Sequence, residues 1–218
     1  MTTEIRTFIP IVFAGLSLSQ EDVSAFGFAD IRPPIKNGDL QEFEDGHVVA
    51  IVDGELDPRR VLPSSEIKQA IRRGVEILGA ASLGALRAFE MRDSGMAGFG
   101  WVYNTYCTGR IAGADESAVV YEPVSYRALT VPLVNIRFSL DVLVDNKRIT
   151  NIEADLAINM LKRLSLEERE SRVIALCLAK VLGKERVKAT GLATGLGWNI
   201  KKRDASQLIG ALMKRADS

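Results

Sequence analysis

A strand that turns sharply into a helix is predicted by the stretch VEILGAASLGALRAFEMR, residues 75–92. Val75–Leu78, apolar except for Glu76, predicts a third strand, and helix-forming residues follow Ser82. Small residues precede Ser82, and Gly84 stands two positions after it. This spacing is typical of a nucleophile elbow, a tight turn that exposes a serine hydroxyl at the end of a strand.

Further strands and helices alternate with this unit along the chain. Phe8–Phe13 and Val48–Val52 are apolar runs that predict buried strands, and residues 64–74 predict the helix between the second and third strands. Ser117–Tyr121 is predicted as a later strand. The alternation predicts an α/β fold with a largely parallel sheet flanked by helices.

The charge distribution divides the chain into two parts. Residues 1–146 hold 13 basic and 20 acidic residues, whereas residues 147–218 hold 15 and 8. We predict an α/β core domain over 1–150 and a helical basic C-terminal extension over 151–218. The extension presents either a surface for a partner or an ordinary solvated helical face. Nucleic acid is an unfavoured partner because Trp198 is the lone aromatic residue available there for base stacking.

Composition narrows the possible cofactors and locations. One histidine and two cysteines leave too few ligands for a structural zinc site, and no metal or cofactor is predicted. No apolar run reaches the roughly 18–20 residues that span a membrane. Residues 1–7 lack a signal-peptide pattern, so we expect a cytoplasmic protein without membrane contact.

The ends of the strands are the expected place for a ligand, because parallel sheets bind ligands beyond their carboxyl edge. Ser82 lies at such an end and at a helix N-terminus, where the backbone N–H groups near Leu83 can hold an oxyanion. Ser82 is therefore either a nucleophile or a simple N-cap of its helix, since serine is favoured at both positions.

A nucleophilic serine needs a base. His47 precedes the second strand, which puts it at the opposite end of the sheet, so a lysine is the remaining option. The front of the chain offers Lys36, on a loop stiffened by two prolines, and Lys68, on the flank of a helix. We favour Lys36 and keep Lys68 as a candidate.

Charged residues near this edge are candidates for supporting roles. Asp53 follows the second strand directly, and Glu66 opens the helix after it. Arg87 and Glu90 lie three positions apart on the Ser82 helix, a spacing at which they can pair with each other. We expect these residues to orient the base or the substrate. At the first strand, Ser17 and Gln20 have the spacing of a capping box.

Several segments together resemble the TfuA family. The longest and most specific is Gly79–Ala88, and the whole resemblance covers about residues 31–140. The others are Pro33-Pro34, Gly38-Asp39, Val52–Gly54, Gly95–Gly100, Asp115-Glu116 and Val134–Arg137.

The resemblance implies a role beside a YcaO enzyme, which uses ATP to activate a peptide backbone amide so that sulfur replaces the oxygen. TfuA proteins are similar to Ser-Lys hydrolases and are thought to release sulfide from the thiocarboxylated C-terminus of a ubiquitin-like ThiS-type carrier. Carried over to this chain, Ser82 is the family's serine. The peptide or protein substrate would be met through YcaO.

This chain departs from the family pattern in places. Ser65 stands where many members have a lysine directly before the glutamate that is Glu66 here. Leu83 replaces a usual methionine, and Ala114 replaces a frequent aspartate. If the missing lysine is the family's base, Lys36 or Lys68 must replace it. Otherwise the chain acts as a non-catalytic adaptor that binds YcaO and its peptide substrate.

Overall fold

A computed structural model of the chain describes residues 10–27, 30–190, 192 and 198–216. The described residues form one five-stranded sheet in which all neighbouring strands are parallel. The strands are β1 Ile11–Phe13, β2 Asp30–Arg32, β3 Val48–Ile51, β4 Glu76–Ala80 and β5 Ala97–Phe99. Their order in the sheet is β2-β1-β3-β4-β5, one of the common orders of doubly wound α/β sheets. The predicted α/β fold with a parallel sheet is confirmed.

The central strands lie where the apolar runs predict them. All four residues of β3 are buried, as expected for a β-branched run that is covered on both faces of a parallel sheet. The predicted first strand is described only from Pro10 onward, because Phe8 and Ile9 lie outside the described residues.

Two strands were not predicted, and one predicted strand is wrong. The edge strands β2 and β5 have three residues each, too few to show a periodic pattern. Residues 117–121 form no strand. There the Ser117 N–H donates to the Ala114 carbonyl oxygen and the Val120 N–H donates to Thr130 Oγ1, and a single antiparallel bridge of Tyr121 with Ala128 is the segment's only strand-like pairing among the described residues.

Helices follow β1, β3, β4 and β5, but residues 33–47, between β2 and β3, form turns and no helix. The helix after Ser82 ends within one residue of its expected position. The helices of the described residues are α1 Gln20–Ser24, α2 Ser64–Arg72, α3 Leu83–Met91, α4 Gly100–Cys107, α5 Leu133–Asp145, α6 Asn151–Leu161, α7 Ser171–Leu182, α8 Lys184–Thr190 and α9 Ile200–Ala216. No helix within the described ranges is both long and apolar enough to cross a membrane.

The chain forms two compact units. Unit 1 comprises residues 1–110 and 202–218, and unit 2 comprises residues 111–201. These limits differ from those of the predicted domains, 1–150 and 151–218, and the domain division stays a prediction.

Unit 1 contains the sheet and most of helix α9. Leu208, Ile209 and Leu212 of α9 are buried in the same apolar cluster as Val12 and Ala50 of the sheet. The last helix of the predicted extension is therefore part of the core of unit 1. Two ion pairs add to this attachment: Lys202 with Asp22 at 2.8 Å and Arg215 with Glu76 at 2.6 Å.

A buried carboxylate also joins α9 to helix α4. Asp204 is 1% exposed, and its Oδ2 accepts the N–H of Val102 at 2.7 Å. Gly100 leaves the room for this contact, since a Cβ there would lie 2.3 Å from Asp204 Cγ. Asp204 thus caps the N-terminus of α4 from a distant part of the chain.

Unit 2 is helical, with a core of its own built by α5, α6, α7 and α8. Glu116 is 1% exposed, and both its oxygens accept from the Arg137 guanidinium at 2.8 Å. Bidentate pairing of this kind satisfies a buried charge. Two of the segments that carry the family resemblance, Asp115-Glu116 and Val134–Arg137, thus contribute a structural ion pair.

Candidate active site

Ser82 lies on a strained turn between β4 and α3. The N–H of Ser82 donates to the Ala80 carbonyl oxygen at 2.8 Å, which closes a three-residue turn around Ala81. Ala81 has φ +66, a value that favours glycine. Such a γ-turn is rare and strained. The turn is as sharp as the elbow pattern predicts, although the left-handed residue is Ala81 and not Ser82.

Two glycines allow α3 to start directly against the sheet. A Cβ on Gly84 would lie 1.8 Å from the Ile51 carbonyl oxygen, and a Cβ on Gly79 would lie 2.1 Å from the Gly84 oxygen. The Gly84 N–H also donates to the Val52 carbonyl oxygen at 3.3 Å. Only glycine fits either position, so the turn is fixed by close contacts between backbone segments.

The hydroxyl of Ser82 makes no hydrogen bond within the described residues. Ser82 is 7% exposed and is the N-cap of α3, yet its side chain makes no capping bond and no bond to another described residue. Its carbonyl oxygen accepts from Ala85 and Leu86. The N–H of Leu83 has no acceptor within the described residues. The Ser82 residue is thus largely covered, but its hydroxyl is not one of the buried unpartnered atoms, and it lies beside a free N–H that can stabilise an oxyanion.

Asp53 holds the loop that follows β1. Its Oδ2 accepts three successive backbone N–H groups, from Gly15 at 3.1 Å, Leu16 at 2.9 Å and Ser17 at 2.7 Å. Its Oδ1 accepts the Ser17 hydroxyl at 2.7 Å. Asp53 is fully buried, and four donors satisfy its charge. The row of N–H groups is a nest suited to an anion, and this carboxylate already fills it.

The contact of Ser17 with Asp53 corrects the predicted capping box at α1. The box is formed instead by Ser19 and Asp22. The Asp22 N–H donates to Ser19 Oγ at 3.1 Å, and the Ser19 N–H donates to Asp22 Oδ2 at 3.2 Å.

Glu66 holds the loop that carries Lys36. Its two oxygens accept the N–H groups of Gly38 and Leu40, both at 2.8 Å, and Glu66 is 5% exposed. The Lys36 N–H donates to Asp39 Oδ2 at 2.9 Å in the same turn. The sequence placed Glu66 at the start of α2 correctly but gave no sign of these bonds, which join residues 26 and 28 positions apart.

The Lys36 loop lies at the same edge of the sheet as Ser82. The Ile35 N–H donates to the Asp53 carbonyl oxygen at 3.0 Å, so the loop extends the sheet beyond β3. A Cβ on Gly54 would lie 2.2 Å from Leu83 Cδ2 and 3.0 Å from Ile35 Cγ2. The neighbours of Lys36 and of Ser82 therefore both contact Gly54.

Both candidate lysines are exposed. Lys36 lies on this loop, and Lys68 lies on the outer face of α2, next to the buried Ile67. Proteins usually activate a lysine as a base by burying it, and neither residue has that setting here. Lys36 is the better placed of the two. Its loop neighbour Ile35 contacts Gly54, and Gly54 also contacts Leu83, the residue after Ser82.

Arg87 and Glu90 form the ion pair that their spacing predicts. The Arg87 side chain is 14% exposed, and its buried Nε has no hydrogen-bond partner within the described residues. The Arg87 guanidinium is thus held by Glu90, while its Nε is covered by the surrounding protein. Arg87 lies five residues after Ser82 on α3.

A family model described as TfuA-like protein matches residues 53–170. The chain belongs to the TfuA-like family. The match is longer than half of the chain, and it contains Ser82, Glu66 and Arg87 but not Lys36. The known context of this family is YcaO-dependent thioamidation, so the chain has a role linked to that modification. Among curated proteins no match is found.

Proposed function

We propose that this TfuA-like protein hydrolyses the thiocarboxylate of a ubiquitin-like ThiS-type sulfur carrier and supplies sulfide to its YcaO partner. The observation that carries the proposal is the Ser82 hydroxyl on a strained turn, with no hydrogen bond to another described residue and the free Leu83 N–H beside it.

In the proposed reaction, a lysine accepts the Ser82 hydroxyl proton while Ser82 Oγ forms a bond to the thiocarboxylate carbon. The Leu83 N–H stabilises the charge that develops on the carbonyl oxygen. The C–S bond then breaks, the lysine returns its proton to the sulfur, and HS⁻ leaves. Water next gives one proton to the lysine and attacks the ester carbon, and the bond to Ser82 Oγ breaks as that proton passes to Oγ. The carrier departs as a carboxylate, and the second proton of the water is released to solvent.

The surroundings support these roles in different ways. Lys36 is the proposed base, on a loop held by Glu66 at the edge where Ser82 lies. Arg87, paired with Glu90 on the helix that Ser82 precedes, is proposed to orient the lysine or the carrier's terminal glycines. Asp53 supports the site indirectly, by fixing the neighbouring loop after β1.

The test is sulfide release from a thiocarboxylated carrier by wild type and variants. Ser82→Ala is expected to abolish release, and Ser94→Ala serves as the matched serine control. Lys36→Ala is expected to slow release by about 10²–10⁴-fold, the usual contribution of a general base. Lys68→Ala is expected to leave the rate unchanged. Release that is indifferent to Ser82 would overturn the proposal.

A second function, that of a non-catalytic adaptor for YcaO and its peptide substrate, is favoured by one observation. The chain has Ser65 where many family members have lysine, and both remaining candidate lysines are exposed. Under the adaptor function, wild type releases no sulfide yet raises the affinity of YcaO for its peptide. Ser65→Lys would then create release that the wild type lacks.

A further inference from the structure

Unit 2 contains a cavity of about 290 Å³ where helices α5, α7 and α8 end. Its floor is apolar and belongs to the core of the unit, with Leu143, Ile149, Leu182 and Leu192 all buried. The volume is close to the lower limit of pockets that bind small molecules, about 300 Å³. The cavity can therefore hold a short apolar chain.

The rim of this cavity is positively charged. Lys147, Arg148 and Arg186 line it, and none of its other lining residues that the structure describes is acidic. Arg186 is paired with Glu153 at 2.8 Å. Lys147 and Arg148 are exposed and have no ion-pair partner among the residues that the structure describes. Two unpaired cations thus stand above an apolar floor.

Lys147 has a left-handed backbone conformation, which is strained for a residue other than glycine. Its N–H donates to the Val144 carbonyl oxygen and the Arg148 N–H to that of Leu143, which is a Schellman motif at the end of α5. The residue at this point is left-handed, and Lys147 has φ +56. Glycine is the usual residue there.

The same chain uses glycine at the equivalent position elsewhere. Gly74, with φ +90, follows α2, and Gly109, with φ +71, follows α4. Cations near a helix C-terminus are favoured by the helix dipole, which explains a positive charge near α5. It does not explain a lysine in the left-handed position itself, nor the cavity below it.

We propose that this cavity binds a carboxylate that carries a short apolar chain, with the chain on the leucine and isoleucine floor and the carboxylate between Lys147 and Arg148. Two sources share this chemistry, a free medium-chain fatty acid and the C-terminal residues of an apolar peptide. The cavity lining does not include Ser82, and the proposal does not depend on the proposed hydrolysis.

The test is a calorimetric titration of the full chain with octanoate and with N-acetyl-leucyl-leucine. Octanol and N-acetyl-leucyl-leucinamide are the uncharged controls, and at least one acid is expected to bind ten-fold or more tightly than its control. Binding of octanoate alone assigns the free acid, and binding of the dipeptide alone assigns a peptide C-terminus. Binding of both establishes the shared chemistry.

Lys147→Gly separates ligand binding from stability. The variant removes the cation and relieves the left-handed lysine, so the affinity should fall at least five-fold while the melting temperature is no lower than in wild type. Lys147→Asn, which also tolerates the left-handed conformation, should behave alike. Lys180→Gln is the control, since Lys180 is exposed but does not line the cavity.

Three results would overturn the proposal. They are equal binding of the acids and their uncharged controls, binding of neither acid, and unchanged affinity in both Lys147 variants.

Discussion

Asp204 is expected to make the stability of unit 1 depend on pH. Burial raises the pKa of the Asp204 carboxyl from 3.8 to about 6, and the hydrogen bonds from Val102 and Trp101 only partly oppose this rise. One of its oxygens, Oδ1, is buried and unpartnered within the described residues. The ionised carboxylate is therefore less stable in the folded chain than in the unfolded chain.

The direction of the effect follows from the raised pKa. Between pH 3.8 and about 6 the folded chain binds the Asp204 proton more tightly than the unfolded chain does, so stability falls as the pH rises through this window. The difference between 3.8 and about 6, at 1.36 kcal/mol for each pH unit, gives about 3 kcal/mol in total.

Asp204→Asn removes this titration while the amide oxygen still accepts from α4. The free energy of unfolding of the variant, relative to wild type, should rise by about 2–3 kcal/mol between pH 4 and pH 8. Urea unfolding at a series of pH values measures it. Asp93→Asn is the control, because the Asp93 side chain is 90% exposed. Parallel pH curves for wild type and Asp204→Asn would refute the reasoning.

Three further substitutions test the packing behind Ser82, with its control on α9, and the hold of Glu66 on the Lys36 loop. Gly84→Ala should destabilise the fold by about 1–3 kcal/mol or more, because the new methyl would lie 1.8 Å from the Ile51 oxygen. Gly210→Ala, on α9 where a Cβ meets nothing within 4 Å, should instead stabilise by about 0.5–1 kcal/mol. Urea unfolding measures the free energy of unfolding of both variants. Equal changes in Gly84→Ala and Gly210→Ala would contradict the expected clash with the Ile51 oxygen. Glu66→Gln should cost about 1–3 kcal/mol and speed hydrogen exchange of the two loop amides that it binds. Unchanged exchange at those amides would show that the loop does not depend on the carboxylate.

The sequence predicts those parts of the fold whose structure is determined by residues close together in the chain. The apolar run before Ser82 and the small residues around it predict β4, the turn and α3 from neighbouring positions alone. The strand predicted at 117–121 is wrong because an apolar run also fits a buried loop whose bonds are met locally. The edge strands β2 and β5 are too short for any pattern to show.

The site is harder to predict because its contacts are distant in sequence. Asp53 binds amides 36–38 residues earlier in the chain, and Glu66 binds amides of the Lys36 loop. Sequence spacing placed both carboxylates at the correct edge but could not show which donors would meet them. Asp204 was missed altogether, since nothing in a basic amphipathic helix indicates that its aspartate caps α4.

The most direct test of the central claim is to trap the acyl-enzyme. A thiocarboxylated ThiS-type carrier is mixed with the protein, the reaction is quenched in acid, and the intact mass is measured. We predict an adduct of carrier and protein that is linked through an ester to Ser82 and is absent in Ser82→Ala. Sulfide release at the wild-type rate by Ser82→Ala, with no adduct at Ser82 in wild type, would contradict the account.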